Sequence, residues 1–425
     1  MEQTPKANRV HIGFFGRCNA GKSTLINMLT DQPVSLVSEV AGTTTDSVSK
    51  SMEILPLGPV VITDTAGIDD TSELGALRIE KSEEIIKKIN LAVYVLRNDE
   101  APTADDMIWL NTLKQNNVPI ALFINEINAF DSESTHDNDS NGNDTNLNYV
   151  DAYPDLSAIA TVVGSTDFTS NRDRLTLLDL LGGLTPLDVE GEQSLLQGLV
   201  DPGDTIILVC PIDSAAPKGR LILPQVQTIR EILDHKGLAL VCQTEELPTM
   251  LSKLSQKPKL VITDSQAFEA VNALTPADIP LTSFSILMAR FKGKLQDLVT
   301  GVKALNNLKP GARVLISEGC THRRQCDDIG TVKIPMWLKK KGHTDLQLEF
   351  TSGGAFPKDV SGYDLIIHCG ACMLTRREVL RRIDCAVVQG TPIVNYGVLI
   401  ASLHGILERA ISPFMDELDR KGFEC

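Results

Sequence analysis

Short apolar runs alternate with longer amphipathic stretches along most of this 425-residue chain. In the first part of the chain the apolar runs cover residues 10–15, 60–63, 91–96 and 119–124, with helical patterns between them. Such alternation is typical of an α/β fold with a parallel sheet and helices on both of its faces. The run at 10–15 leads into a glycine-rich loop and then a helical pattern, so the chain begins with a strand, a loop and a helix.

The length predicts more than one domain, and the pattern divides the chain into three. The first α/β domain is expected over residues 1–184, with a polar and disordered insertion at 131–149. A small α/β pattern follows at 190–270, and a further α/β pattern covers 280–425. A linker with a pair of adjacent glycines joins the first domain to the second.

Charge and cysteine content narrow the range of functions. The formal net charge is −15 and the pI is near 5.0, which argues against nucleic acid as the main partner. The N-terminus has no secretory signal and the apolar runs are too short for a bilayer, so we expect a cytoplasmic protein with no membrane partner. Cytosolic thiols stay reduced, so clustered members of the nine cysteines indicate metal binding or redox chemistry.

Residues 16–23 read Gly-Arg-Cys-Asn-Ala-Gly-Lys-Ser and match the phosphate-binding loop G-x-x-x-x-G-K-[ST]. In such a loop the backbone N–H groups surround the phosphates, and the N-terminus of the next helix adds partial positive charge. Lys22 supplies a cation to the β- and γ-phosphate oxygens, and Ser23 ligates Mg²⁺. The residues predicted to contact the nucleotide here are Gly16, Asn19, Ala20, Gly21, Lys22, Ser23 and Thr24.

Two further segments carry the chemistry of hydrolysis. The stretch 64–67 follows an apolar run, so Asp64 can hold Mg²⁺ through water and Gly67 can offer its N–H to the γ-phosphate. The threonine run at 43–45 lies where a switch loop is expected, and Thr44 is predicted to complete the Mg²⁺ shell. The predicted catalytic residues are Lys22, Thr44, Asp64 and Gly67.

These motifs resemble those of the Era and TrmE type of GTPase. The resemblance implies that Asn19 helps to bind K⁺, whose charge replaces an arginine finger, so we expect K⁺-stimulated hydrolysis. The base-reading motif departs from N-K-x-D, because Asn125 is followed by Glu126, Ile127 and Asn128. Glu126 cannot stack as lysine does, and Asn128 lacks a carboxylate for the guanine N–H groups, so guanine selectivity is expected to be weakened. GTP and GDP remain the predicted ligands.

Cysteines and histidines follow two predicted strands near the C-terminal end, one at 313–316 and one at 364–367. Loops that follow parallel strands meet at one edge of a sheet, so the two groups are expected to converge. Spacing alone leaves an iron–sulfur cluster and a tetrahedral Zn²⁺ site as alternatives, with a redox dithiol third. The predicted ligands are Cys320, His322, His368, Cys369 and Cys372.

Over nearly its whole length the chain resembles the family of FeFe-hydrogenase maturation GTPases. The resemblance rests on the phosphate loop followed by C-x-H and H-C-x-x-C, and on the stretches 216–225, 261–268, 281–287 and 395–397. It implies that the domain at 190–270 forms a homodimer. It also implies that Cys320, Cys369 and Cys372 hold a 4Fe-4S cluster with an exchangeable fourth position, for which His322 or His368 is the candidate.

The resemblance further implies a GTPase that acts as a scaffold and carrier. Such a protein would receive a diiron H-cluster precursor from two radical-SAM maturases and deliver it to apo FeFe-hydrogenase. The alternative is a K⁺-dependent GTPase of RNA modification or ribosome assembly with a zinc-binding C-terminal domain. The acidic charge and the cysteine motif speak against this alternative.

Overall fold

The computed structural model describes residues 9–30, 48–54, 58–65, 85–125, 152–160, 162–166, 171–184, 194–212, 221–319 and 328–419. Contacts divide the chain into two compact units, Met1–Glu192 and Gln193–Cys425. The second unit holds both C-terminal α/β patterns, and the predicted boundaries between the three domains stay predictions. The predicted insertion at 131–149 lies outside the described residues.

The described part of the first unit forms a six-stranded sheet in the order β2-β3-β1-β4-β5-β6. Its strands are β1 (Val10–Phe15), β2 (Val48–Ile54), β3 (Gly58–Asp64), β4 (Leu91–Arg97), β5 (Ile120–Asn125) and β6 (Val162–Thr166). All neighbouring pairs are parallel except β2 and β3, which are antiparallel. The sequence pattern predicted a parallel sheet without this edge strand. Three residues separate β2 from β3, and so short a connection joins antiparallel neighbours.

Helices cover both faces of this sheet, as the alternating pattern predicted. They are α1 (Lys22–Thr30), α2 (Ala104–Gln115), α3 (Pro154–Ile159) and α4 (Asn171–Leu184). One apolar cluster joins Phe14 of β1 to Leu25 of α1 and Leu178 of α4. A second cluster joins Phe15 of β1 to Leu110 of α2 on the other face. Successive strand residues point to opposite faces, so β1 is buried on both sides and its sequence is apolar except at His11.

The second unit begins with a four-stranded parallel sheet in the order β10-β9-β7-β8. The strands are β7 (Thr205–Val209), β8 (Leu238–Cys242), β9 (Leu260–Thr263) and β10 (Leu281–Ser283). The helices between them are α5 (Leu223–Asp234), α6 (Leu247–Lys253) and α7 (Phe268–Leu274). Residues 281–283, which the sequence assigned to the third domain, therefore pair within this sheet.

A second four-stranded parallel sheet follows in the order β12-β11-β13-β14. Its strands are β11 (Arg313–Glu318), β12 (Gln347–Ser352), β13 (Leu365–His368) and β14 (Ile393–Asn395). The helices of this part are α8 (Phe284–Lys292), α9 (Leu295–Gly301), α10 (Ile334–Lys340), α11 (Arg376–Val388), α12 (Tyr396–Leu403), α13 (Leu407–Ile411) and α14 (Met415–Asp419). The single helix predicted over 399–410 is two helices, because the chain turns at Gly405, where φ is 72°.

One apolar cluster continues through both sheets of the second unit, from Ile207 in β7 to Ile366 in β13. The register of the second sheet pairs Ser317 of β11 with His368 of β13, which places the ends of these two strands side by side. Among the described helices of the whole chain, none has both the length and the apolar character needed to cross a membrane.

Candidate functional site

The phosphate-binding loop joins β1 to α1 along a path that few residue types accept. Gly16 has a φ of 135°, and a Cβ atom there would lie 2.4 Å from the Val95 carbonyl oxygen. Gly21 has a φ of 102°, and Asn19 has a φ of 60°. Asparagine enters this left-handed region more readily than most residues with a side chain. The backbone of the loop therefore requires glycine at the two motif positions and tolerates asparagine between them.

Lys22 bends back over the loop. Its Nζ donates hydrogen bonds to the carbonyl oxygens of Gly16, at 2.8 Å, and Arg17, at 2.7 Å. The Asn125 side chain, at the end of β5, donates a hydrogen bond of 3.0 Å from Nδ2 to the Ala20 carbonyl. The described part of the predicted nucleotide site is thus assembled from the loop and the end of β5.

Asp64 ends β3 and is paired with Phe14 of β1 in the sheet register. Its Oδ1 is buried and has no hydrogen-bond partner. Burial raises the pKa of this carboxyl, and the charge of Lys22 opposes the rise. An unpartnered buried carboxylate oxygen costs free energy, and a hydrated Mg²⁺ would remove that cost. Ser23, at the start of α1, is exposed, so the residues present fit the predicted metal.

The remaining predicted residues of the nucleotide site lie outside the described residues. They are Thr44, Gly67 and Asn128. Their roles stay predictions. Gly21 and Thr24 lie where the motif requires, in the loop and in the first turn of α1.

Sequence reasoning missed a polar network that ties the phosphate loop to the start of α2. Arg17 Nη1 lies 2.8 Å from Glu100 Oε2, and Arg17 Nε lies 3.4 Å from Asp106 Oδ2. Asp106 is fully buried and accepts a hydrogen bond of 2.9 Å from the Tyr94 hydroxyl. The Thr103 backbone N–H donates to Asp106 as part of a capping box. The Thr-x-x-Asp spacing was the one local signal of this network.

The predicted metal loop follows β13. Cys369 N–H donates a hydrogen bond of 3.0 Å to the Ser317 carbonyl, which extends the pairing of β13 with β11. The Cys369 Sγ in turn accepts N–H groups from Gly319, at 3.0 Å, and Ala371, at 3.3 Å. The segment immediately before Cys320 is therefore held against Cys369. Cys320 and His322 themselves lie outside the described residues.

Both described cysteines of this loop are poor acids before metal binds. Burial raises the pKa of Cys369 to about 11, although the N–H groups of Gly319 and Ala371 lower it. Burial also raises the pKa of Cys372, and the charge of Lys292 opposes that rise. These sulfurs are therefore thiols at neutral pH, and binding of a metal must displace their protons. Buried sulfur that accepts backbone N–H groups fits a soft metal or an iron–sulfur cluster.

His368 is buried and uses both nitrogens within the protein. A guanidinium can only donate, so Arg382 Nη1 donates to Nε2 at 3.2 Å, and Nδ1 donates to the Cys369 carbonyl at 2.9 Å. Burial and the Arg382 charge lower the pKa of His368 to about 4, so the ring is neutral at pH 7. Ligation of iron by His368 would first require one of these hydrogen bonds to break. Among the described residues, no group of three His, Cys, Asp or Glu side chains is placed to hold a metal ion.

Curated relatives resemble one part of the chain. The tRNA modification GTPase MnmE of Endomicrobium trichonymphae is 31% identical over 121 residues, 28% of this chain and 26% of the relative. MnmE of Heliobacterium modesticaldum is 37% identical over 99 residues, 23% of this chain and 21% of the relative. The chain thus spans about a quarter of the length of these relatives. The match fits the resemblance to GTPases of the Era and TrmE type.

Solved structures give distant likenesses. Era in complex with MgGDPNP and nucleotides of 16S ribosomal RNA is 19% identical, covers 55% of this chain and 93% of its own, and has a TM-score of 0.33. Aquifex aeolicus Era bound to GDP.AlF4- is 18% identical, covers 58% of this chain and 98% of its own, and has a TM-score of 0.34.

Three family models match successive parts of the chain. A model described as a 50S ribosome-binding GTPase matches residues 11–126. The hydrogen maturase F dimerization domain matches 195–293, and the hydrogen maturase F tetramerization domain matches 296–413. A P-loop GTPase domain followed by both of these domains confirms the resemblance found in the sequence. The chain therefore belongs to the hydrogen maturase F (HydF) family of hydrogenase maturation GTPases.

Proposed function

We propose that this chain hydrolyses GTP and serves as a scaffold and carrier in FeFe-hydrogenase maturation. It binds a 4Fe-4S cluster, receives a diiron precursor from two radical-SAM maturases and delivers it to the apo-hydrogenase. The supporting observation is that Cys369 Sγ accepts N–H groups from Gly319 and Ala371, in a chain of the hydrogen maturase F family. Cluster binding requires reduced thiols, and thiols stay reduced in the cytoplasm, so we place the protein there.

The direct test is reconstitution. A mixture of the two maturases, their substrates and apo-hydrogenase should evolve hydrogen when this protein is added, and should remain inactive without it. Activation at the same rate in the absence of the protein would remove the carrier function from the proposal.

In the nucleotide site the residues of the chain bind GTP and orient its phosphates. When GTP binds, Lys22 Nζ donates to phosphate oxygens in place of the Gly16 and Arg17 carbonyls. Ser23 and Thr44 would ligate Mg²⁺, and Asp64 would hold it through water. The metal neutralises charge on the phosphates when bound. The Gly67 N–H is assigned to the γ-phosphate. Asn125 and Asn128 read the base.

Asn19 gives a specific prediction about potassium. Replacing Asn19 by glycine removes the side-chain oxygen but keeps a residue that accepts a φ of 60°. We expect K⁺ to accelerate hydrolysis by the natural protein by about tenfold or more over Na⁺, and this stimulation to disappear in Asn19→Gly. The rates in K⁺ and Na⁺ measure it, with nucleotide affinity as the control. Equal K⁺ stimulation in both proteins would contradict the assignment.

In the metal site we assign Cys320, Cys369 and Cys372 to the cluster. Such a cluster, when bound, supplies an iron that can hold a transferred fragment reversibly. Because both ring nitrogens of His368 already have partners, we favour His322 for the exchangeable fourth position. His368 then holds the Cys369 carbonyl and so orients the loop.

Assembly as a homodimer is supported by the exposed edge of the first sheet of the second unit. Strand β8 lies at the end of the order β10-β9-β7-β8, so one side of its backbone pairs with none of the described strands. Leu238 and Val241 on this strand and Leu233 on the adjoining α5 are exposed. An apolar edge strand is a template for pairing with another chain. The dimerization model covers these residues, so we place the dimer contact at β8.

A charge on this edge should weaken the assembly. Leu238 is 57% exposed, so Leu238→Lys costs the fold little while placing a cation on the pairing edge. We expect the dissociation constant of the dimer to rise by about tenfold or more. Leu274→Lys is the matched control, since Leu274 is 39% exposed on α7, which lies between β9 and β10 in the chain. Sedimentation equilibrium measures both. Equal weakening by the two substitutions would contradict the contact at β8.

The observation in favour of the alternative function, in RNA modification, is the similarity to the MnmE relatives. Their match reaches about a quarter of this chain, which is the extent of a GTPase domain, and the net charge of −15 disfavours an RNA surface. A gel shift with tRNA at physiological salt separates the two. Tight binding of tRNA would favour the alternative.

A further inference from the structure

A buried lysine lies beneath the loop that carries Cys369 and Cys372. Lys292 is the last residue of α8 and has no exposed surface. Its Nζ donates hydrogen bonds to the carbonyl oxygens of Cys372, at 3.3 Å, and Leu374, at 2.8 Å. Lysine is almost never buried to this degree, because desolvation of an ammonium group is costly. Holding this cation at the loop therefore lowers the free energy of unfolding of the protein.

The neighbouring basic residues show that this placement is specific. Arg290, two residues earlier, points to Glu417 and to the Gln197 carbonyl. Lys294, two residues later, pairs with Asp384 and is 46% exposed. Of these three basic side chains, Lys292 is the one that contacts the metal loop.

The charge of Lys292 also lies close to a residue that carries a candidate sulfur ligand. Its Nζ is 3.3 Å from the carbonyl oxygen of Cys372. A buried charge acts over several ångströms with little screening, because the local dielectric constant is low. The same field reaches any metal group bound to Cys372.

We propose that Lys292 is a positioning and electrostatic residue of the metal loop, which fixes the backbone of residues 372–374 and raises the reduction potential of a cluster bound there. The inference rests on the proposed function for the identity of the cluster. Reduction adds negative charge to a cluster, and a buried cation stabilises the reduced form more than the oxidised form. Reduction potentials of iron–sulfur clusters respond to just such charges and hydrogen bonds.

Three substitutions separate the two roles. Lys292→Met removes both the charge and the donor, Lys292→Gln keeps a donor without the charge, and Lys292→Arg keeps both. Lys294→Met removes a nearby exposed cation and is the control. Each full-length protein is prepared anaerobically, assayed for iron, and titrated with reductant while the EPR signal of the reduced cluster is recorded.

We expect the ratio of reduced to oxidised cluster, at the midpoint of the natural protein, to fall by about tenfold or more in Lys292→Met and Lys292→Gln. For a one-electron couple this is a shift of about 59 mV to lower potential. Lys292→Arg should change the ratio by less than about threefold, and Lys294→Met should not change it measurably. Unchanged midpoints in the Met and Gln variants, with iron retained, would overturn the electrostatic role.

The backbone role has a readout that needs no cluster. In the metal-free proteins, hydrogen exchange of a peptide covering residues 369–374 should be fastest in Lys292→Met, slower in Lys292→Gln and like the natural protein in Lys292→Arg. Identical exchange in all of them would overturn the positioning role. Absence of iron from the natural protein would instead contradict the proposed function, and the exchange measurement would still decide on positioning.

Discussion

Lys22→Met abolishes GTP hydrolysis, with a fall in kcat/KM of about a thousandfold or more, while the iron content of the protein stays that of the natural chain. The reason is that Nζ of Lys22 is the cation of the phosphate loop, where it donates to the Gly16 and Arg17 carbonyls, whereas the candidate cluster ligands belong to the second unit. Phosphate release at saturating GTP measures the first effect, and an iron assay of the same anaerobic preparation measures the second.

Because Lys22 is buried, its loss leaves the Gly16 and Arg17 carbonyls without their donor. The melting temperature of the variant therefore has to be recorded beside its activity. Lys50→Met is the matched control, since Lys50 is an exposed lysine on β2 of the same unit. Loss of iron together with hydrolysis in a folded Lys22→Met protein would contradict the division of labour between the two units.

Cys369→Ser removes most of the iron, by about tenfold, and with it the activation of apo-hydrogenase, while GTP hydrolysis changes by less than about twofold. Cys369 Sγ accepts N–H groups from Gly319 and Ala371, an environment that favours a thiolate once metal is bound. A serine hydroxyl is a harder and weaker ligand than thiolate. Iron and sulfide assays and the reconstituted maturation mixture measure the effect.

Cys385→Ser is the matched control for that substitution. Cys385 is a partly buried cysteine on α11, and its Sγ lies 3.5 Å from the Lys358 carbonyl oxygen. It should keep full iron and full activation. If Cys369→Ser behaved like Cys385→Ser, the loop after β13 would not be the metal site.

Buried strands of this chain could be predicted from sequence because nearly all of their residues are apolar. The pattern predicted β1 at its observed bounds, and β9 likewise. The edge strands β2 and β12 were missed. Strand β12 (Gln347–Ser352) has mostly exposed, polar side chains, and it lies at the edge of its sheet among the described strands. Its place in the sheet depends on pairing with β11, which the local sequence does not encode.

The sites show the same contrast between features that a short stretch of sequence predicts and features that depend on residues far apart in the chain. The phosphate loop and the Cys-x-x-Cys motif are local, so their spacing sufficed to predict them. Lys292 contacts a loop about 80 residues further along the chain, and no short motif marks that contact. The sequence likewise indicated His368 as a candidate ligand, but it did not indicate that Arg382, on the following helix α11, donates a hydrogen bond to the His368 ring.

We propose that the second unit holds an iron–sulfur cluster rather than zinc, and the decisive measurement is metal analysis of the anaerobically purified full-length protein. We expect about four iron and four sulfide per chain, little zinc, and an EPR signal after reduction that disappears in Cys369→Ser. A protein that contains about one zinc per chain, neither iron nor sulfide, and no EPR signal on reduction would contradict it.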